Sequence, residues 1–200
     1  FPPQSMSMGG HLRPEMAVEH FSRIADATDL PLICFNYPSS GNLSYPFETL
    51  LELFEKVPTI KAIKDWSNEP MLHEKHIKTF QNLPNPVNVL TTHSSWLMSS
   101  LVMGAKGLLS GAGSVIASLQ VDLFFSIKNK DLETAQKINE KIYPLVQAFY
   151  APPFLDMHNR MKETLVLLGI MDKAVVRPPL MKLSEKEINS LRQAISLSGL

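Results

Sequence analysis

Lys64 closes the run Thr59-Ile60-Lys61-Ala62-Ile63-Lys64, which then breaks off on the polar cluster Asp65-Trp66-Ser67-Asn68. Strand alternation puts Ile60, Ala62 and Lys64 on one face and Lys61 and Ile63 on the other. Lys64 thus stands at the carboxyl end of an expected strand, where α/β sheets and barrels bind their ligands. A lysine attacks a carbonyl only as the neutral amine, and apolar surroundings lower its pKa towards that state. Ile33, Phe35, Ile60, Ala62, Leu90 and Leu109, from this and neighbouring apolar runs, would supply such surroundings. The protonated imine that results is an electron sink, which permits carbon–carbon cleavage, condensation or dehydration beside the former ketone. Strand position alone favours a plainer reading, a lysine leaving the sheet for water.

The other chemistry-bearing residues are weaker. His93 lies just past a strand's carboxyl end. His73 and His76 share one face of a charged helix, but no carboxylate or cysteine completes a known ligand spacing there, so both are expected to be solvated and no metal is expected. Asp156 and His158 are two apart and do not face each other on a helix. No Ser-His-Asp arrangement emerges from spacing. Gly111-Ala112-Gly113-Ser114 falls between a strand and a helix, where amides can receive an anion, although a tight strand-to-helix turn is the simpler reading. Cys34 has apolar neighbours and is expected to be buried packing.

The elements that would position these residues follow from periodicity. Residues 1–12 read as a loop. A helix opens at Pro14-Glu15 and runs to about Asp29, with Ala17, Phe21, Ile24 and Ala25 on one face. Strands are expected at Leu30–Asn36, at the Lys64 run, at Val87–Thr91 and at Lys106–Ser110. Helices lie between them, around Phe47–Val57, Glu69–Phe80 and Ser94–Met103. Beyond that the strands stop, and 115–129, 131–150, 155–169 and 184–197 are all helical by spacing. Strands alternating with helices imply βαβ units and a parallel sheet. Short strands favour a barrel, and since a complete eight-fold barrel takes about 250 residues, four strands make roughly its second half. The expected division is 1–114 as a partial β/α barrel and 115–200 as the last barrel helix with a helical extension.

Composition narrows the partners. Lys+Arg and Asp+Glu are 19 each, and zero net charge argues against nucleic acid or an anionic membrane as the main partner. No run approaches the ~18 apolar residues of a membrane span. A single cysteine excludes an internal disulfide framework and suits a reducing, cytoplasmic setting. The chain starts at Phe1-Pro2-Pro3 rather than Met, and it is expected to be part of a longer protein.

Four ordered stretches carry a resemblance: Asp29-Leu30-Pro31 through Phe35-Asn36-Tyr37-Pro38; Ala62-Ile63-Lys64-Asp65; Gly104 through Ser110; and Arg177-Pro178-Pro179 through Ser184. Together they resemble the dihydrodipicolinate synthase / N-acetylneuraminate lyase family of class I, Schiff-base aldolases, over nearly all 200 residues. The resemblance implies an α/β fold, a (β/α)8 TIM barrel of which this chain holds strands five to eight plus a C-terminal helical extension. It implies a lyase, aldolase or dehydratase acting on pyruvate or another 2-keto acid, with Lys64 forming the imine and no cofactor. It also implies a homo-oligomer, dimer or tetramer.

The departures are specific. The family's Tyr-Asn-x-Pro after strand five reads Phe35-Asn36-Tyr37-Pro38, and a phenyl ring relays no proton. Ser40 stands where the synthases place an arginine. A second relay tyrosine is replaced around Pro3-Gln4, and the Gly-Asp stretch after strand seven reads Thr92-His93-Ser94. The Thr-Thr-Gly-Glu carboxylate cradle is missing from this chain. Tyr37 and His93 are therefore the candidates for acid–base work beside Lys64, with Phe35, Asn36, Ser40, Leu109 and Ser110 as substrate contacts. Tyr37 is one residue out of phase with Phe35 and faces away unless the strand has already ended. A catalytically degenerate relative that binds a keto acid or sugar acid without turnover is the competing expectation. A folded half-barrel with no activity of its own is the third.

Overall fold

In the computed structural model, which describes residues 1–200, four short runs pair as parallel strands in sequence order. They are β1 (Leu32–Asn36), β2 (Ile60–Asp65), β3 (Asn88–Thr91) and β4 (Gly107–Leu108). Parallel neighbours need a crossover, and α2 (Phe47–Lys56), α3 (Pro70–Phe80) and α4 (Leu97–Met103) supply it, with α1 (Pro14–Asp26) leading into β1. The α/β expectation is met element by element.

Register decides which side chains meet. Phe35 pairs with Lys64 and Asn36 with Asp65, Lys64 with Leu90 and Asp65 with Thr91, and Leu90 with Gly107. Paired residues share a face. Ile33, Phe35, Ala62, Lys64 and Leu90 therefore line one side, and Cys34, Asn36, Ile63, Asp65, Val89 and Thr91 the other. The second side is the helix side, because Asp65 bonds to histidines of α3. There Cys34, Ile63 and Val89 are fully buried, as are Leu50 and Leu53 of α2 and Phe80 of α3. Phe54 meets Phe80 edge-on at 4.9 Å, joining α2 to α3. The Lys64 side is more open: Ile33 is 50% exposed.

Several boundaries differ from the sequence-based expectation. Residues 1–12 form two short 3-10 turns, Gln4–Met8 and Gly10–Leu12, with Met6 buried. The α1 helix stops at Asp26, because the Thr28 hydroxyl accepts from the Leu30 amide and turns the chain. The Ser94–Met103 helix divides into a 3-10 turn, Ser94–Trp96, and α4. The last strand keeps only two residues, since after Leu109 donates to the Thr91 carbonyl the chain enters the Gly111 turn. Gly104 caps α4 at φ +109°, a left-handed conformation that any side chain would strain.

The chain forms two compact units, Phe1–Leu109 and Ser110–Leu200. The second is helical: α5 (Gly113–Lys128), α6 (Leu132–Phe149), α7 (Met157–Leu167) and α8 (Glu185–Ser198). Asp131 caps α6, and Ser184 with Glu187 makes a capping box at α8. Arg160 of α7, 3% exposed, donates to the carbonyls of Phe149, Ala151, Pro152 and Pro153 and to the Glu187 carboxylate. One buried guanidinium thereby satisfies the end of α6 and ties it to α8.

Candidate active site at the carboxyl ends of the strands

The half-buried Lys64 ammonium lies 4.2 Å from the centroid of the Phe35 ring. No carboxylate comes within ion-pairing distance of it, and burial lowers its pKa. The two effects oppose each other: desolvation favours the neutral amine, whereas a ring face attracts the cation. Around this pair stand Tyr37, 4.4 Å from Phe35 between centroids, Trp66, nearly parallel to Phe35 at 6.2 Å, and Phe1, edge-on at 5.2 Å. Strand β1 ends at Asn36, so Tyr37 escapes the alternation that would turn it away, and its ring returns to Phe35.

One residue further along β2, the chemistry is reversed. Asp65 is fully buried, and its Oδ2 accepts from His73 Nδ1 at 2.7 Å and His76 Nδ1 at 2.8 Å. Its Oδ1 accepts from the Ser67 amide at 2.9 Å. Burial would raise the Asp65 pKa, but the two imidazole donors outweigh it and hold the carboxylate well below its usual range. His73 Nε2 reaches Ser100 Oγ at 2.6 Å, which completes the connectivity of a Ser-His-Asp triad. Ser100, His73 and Asp65 are all fully buried, so this triad has no access to a substrate and its role is structural.

The structure corrects several expectations. His73 and His76 are not solvated: they are 0% and 1% exposed. The overlooked signal is their spacing with Ile77 and Phe80, a 3.6-residue stripe that marks a buried face. His93 is buried too. Its Nε2 accepts the Asn68 amide at 3.0 Å, its Nδ1 meets Thr91 Oγ1 at 3.2 Å, and its ring stacks on Trp96 at 3.9 Å. Burial pushes its pKa down to about 3, so it is neutral near pH 7 and has no ring nitrogen left for a substrate proton. Asn36 points to the helix side, where Oδ1 accepts the Tyr45 amide at 2.9 Å; it shapes the loop after β1 and is turned from Lys64.

Ser40 is exposed in the Pro38–Gly41 turn, Leu109 is exposed after β4, and Ser110 Oγ accepts from Gln120. The amides of Gly113 and Ser114 are bonded to the Ser110 and Gly111 carbonyls, and that of Ala112 to the Tyr150 hydroxyl. This loop is therefore a turn, with those amides already bonded. Cys34 is buried as expected, and burial pushes its thiol up to about 12.

Ligand atoms of Asp65, His73 and His93 lie within 4.8 Å of one another. Each residue is already engaged in the hydrogen bonds just described.

Fold and site together define an α/β protein that presents a desolvated, unpaired lysine at a strand's carboxyl end. Residues 10–198 match the model of the Dihydrodipicolinate synthetase family, and the chain belongs to that family. A 4-hydroxy-tetrahydrodipicolinate synthase of Corynebacterium aurimucosum is 30% identical over 191 residues, covering 90% of this chain and 57% of its own length. The same enzyme of Methanopyrus kandleri is 27% identical, with 90% and 58% covered. A dihydrodipicolinate synthase structure from Thermotoga maritima superimposes with a TM-score of 0.81 at 22% identity, over 93% of this chain and 62% of that one. The fold is thus of the TIM-barrel family. The chain spans less than two thirds of the length of these relatives.

Proposed function

We propose that Lys64 forms an imine with pyruvate or another 2-keto acid, and that the protein of which this chain is part acts as a lyase, aldolase or dehydratase. The supporting observation is the unpaired, desolvated amine on the aromatic side of β2. The neutral Nζ adds to the keto carbon, and the carbinolamine loses water to leave a protonated imine. A proton or a carbon substituent then departs from the adjacent carbon, and its bonding pair flows into the imine to give an enamine. Reprotonation or bond formation at that carbon, followed by hydrolysis, returns the amine. Tyr37, with its ring against Phe35, is the acid–base group in this reading, and β1–β4 are barrel strands five to eight. Residues 1–114 supply the barrel portion, and 115–200 its last helix and the helical extension.

A homo-oligomer in the cytoplasm fits the family; among similar structures, one is described as a monomeric dihydrodipicolinate synthase variant. The test is keto-acid-dependent turnover. Lys64→Ala is expected to abolish it, and undiminished turnover in that variant would overturn the proposal.

A second reading draws on Phe35. A ring that attracts the ammonium and relays no proton suits a protein that captures a keto acid and releases no product. An imine trapped on Lys64 without any turnover over a keto-acid panel would select this reading.

A further inference from the structure

The loops that this chain places at the carboxyl ends of β1, β2 and β3 are one-sided in their chemistry, and this narrows the substrate. Residues 37–46, 66–69 and 92–96, which follow β1, β2 and β3, contain no lysine or arginine, and their sole formal charge is that of Glu69. His93, the histidine in these loops, is buried with both ring nitrogens engaged. A distal carboxylate or phosphate would find no cation in these loops to replace its water. The amine instead meets an aromatic ring, Phe35, and Tyr37 and Trp66 pack against that ring, 5.9 Å apart between centroids. An imine on Nζ forms beside the Phe35 ring, 4.2 Å from its centroid.

We propose that the site selects 2-keto acids whose substituent beyond the keto group is uncharged and apolar, an aryl group above all, and that Phe35, Tyr37 and Trp66 make the selection. The proposal rests on the imine reading for its reacting group. Aromatic faces meet an aryl substituent in offset or edge contacts, which add to simple burial, and the same surface offers a carboxylate no cation.

Competitive borohydride trapping tests it on the protein as its gene encodes it. Phenylpyruvate, 2-oxobutyrate and 2-oxoglutarate are offered together at equal concentration, and adducts on the Lys64 peptide are quantified by mass. Phenylpyruvate is expected to label at least about tenfold more than 2-oxoglutarate, the scale of a modest apolar-contact difference, and Trp66→Ala is expected to reduce it to the level of 2-oxobutyrate. A parallel titration needs no imine: 3-phenyllactate, which has no keto group, should quench tryptophan fluorescence in a way that Trp66→Phe removes, and 2-hydroxyglutarate should not. Quenching by 3-phenyllactate with no adduct from any keto acid would remove the imine and leave the aryl selectivity standing. Equal or preferred labelling by 2-oxoglutarate, or no quenching by 3-phenyllactate, would overturn it.

Discussion

Lys64 and Asp65 are consecutive on β2, yet the period of a strand sends them into opposite environments. Lys64 faces a thin aromatic layer, half-buried, with no ion-pair partner. Asp65 faces α3, fully buried, with two histidines and a backbone amide around one carboxylate. The first side leaves a charge poorly compensated, which is how a side chain becomes reactive. The second satisfies every charge it buries, which is how a strand end becomes fixed. One supports the other: Asp65 holds the Ser67 amide, His93 holds the Asn68 amide, and the Asn36 carbonyl holds that of Trp66, so the chain leaving Lys64 is pinned at three successive residues.

The comparison predicts unequal costs for breaking each side. Asp65→Ala strands two buried imidazole donors and is expected to cost about 2–6 kcal/mol, at roughly 1–3 kcal/mol for each buried donor left unsatisfied. Urea denaturation reads this, and a loss below about 1 kcal/mol would mean the network does not fix the strand end. Acid acts on the same side. The folded pKa of His93 is depressed to about 3, against about 6.5 for an unfolded histidine. Between those values the unfolded chain takes up a proton that the folded chain refuses. Stability is therefore complete above about pH 6.5 and falls as pH drops, by roughly 2 kcal/mol at pH 5. Denaturation at pH 7 and pH 5 measures it, and His93→Gln should flatten the difference. Asp65, with its depressed pKa, adds a further loss only below about pH 4.

Ser100→Ala leaves His73 Nε2 without its buried partner, and about 1–2 kcal/mol is expected by the same denaturation; no change would detach Ser100 from the network. The Lys64 side should give the smallest response. Lys64→Met keeps the apolar stem and removes an unpaired charge, so stability should move by less than about 0.5 kcal/mol. A large loss there would give Lys64 a structural role and undo the contrast.

Most of the fold was legible because its signals are local. Apolar runs bounded by Pro, Gly and Asn marked the four strands, and 3.6-residue spacing marked the helices to within a few residues. Lys64 was legible from its place at the end of such a run. The Asp65 side was not, for two physical reasons. Asp65, His73 and Ser100 are brought together by a strand, a crossover helix and a later helix, and no sequence spacing expresses that. The histidines were also read as polar by type, although their positions lie on the stripe that Ile77 and Phe80 make buried. Tyr37 turned on a single residue, since whether it faces Lys64 depends on β1 ending at Asn36, a boundary that pattern alone does not place.

The most direct measurement is borohydride reduction in the presence of pyruvate, followed by peptide mass mapping. A pyruvate-derived adduct on Lys64, absent without borohydride and absent in Lys64→Arg, is the predicted result. A folded protein that gives no adduct, or one labelled at another lysine with Lys64 untouched, would contradict it.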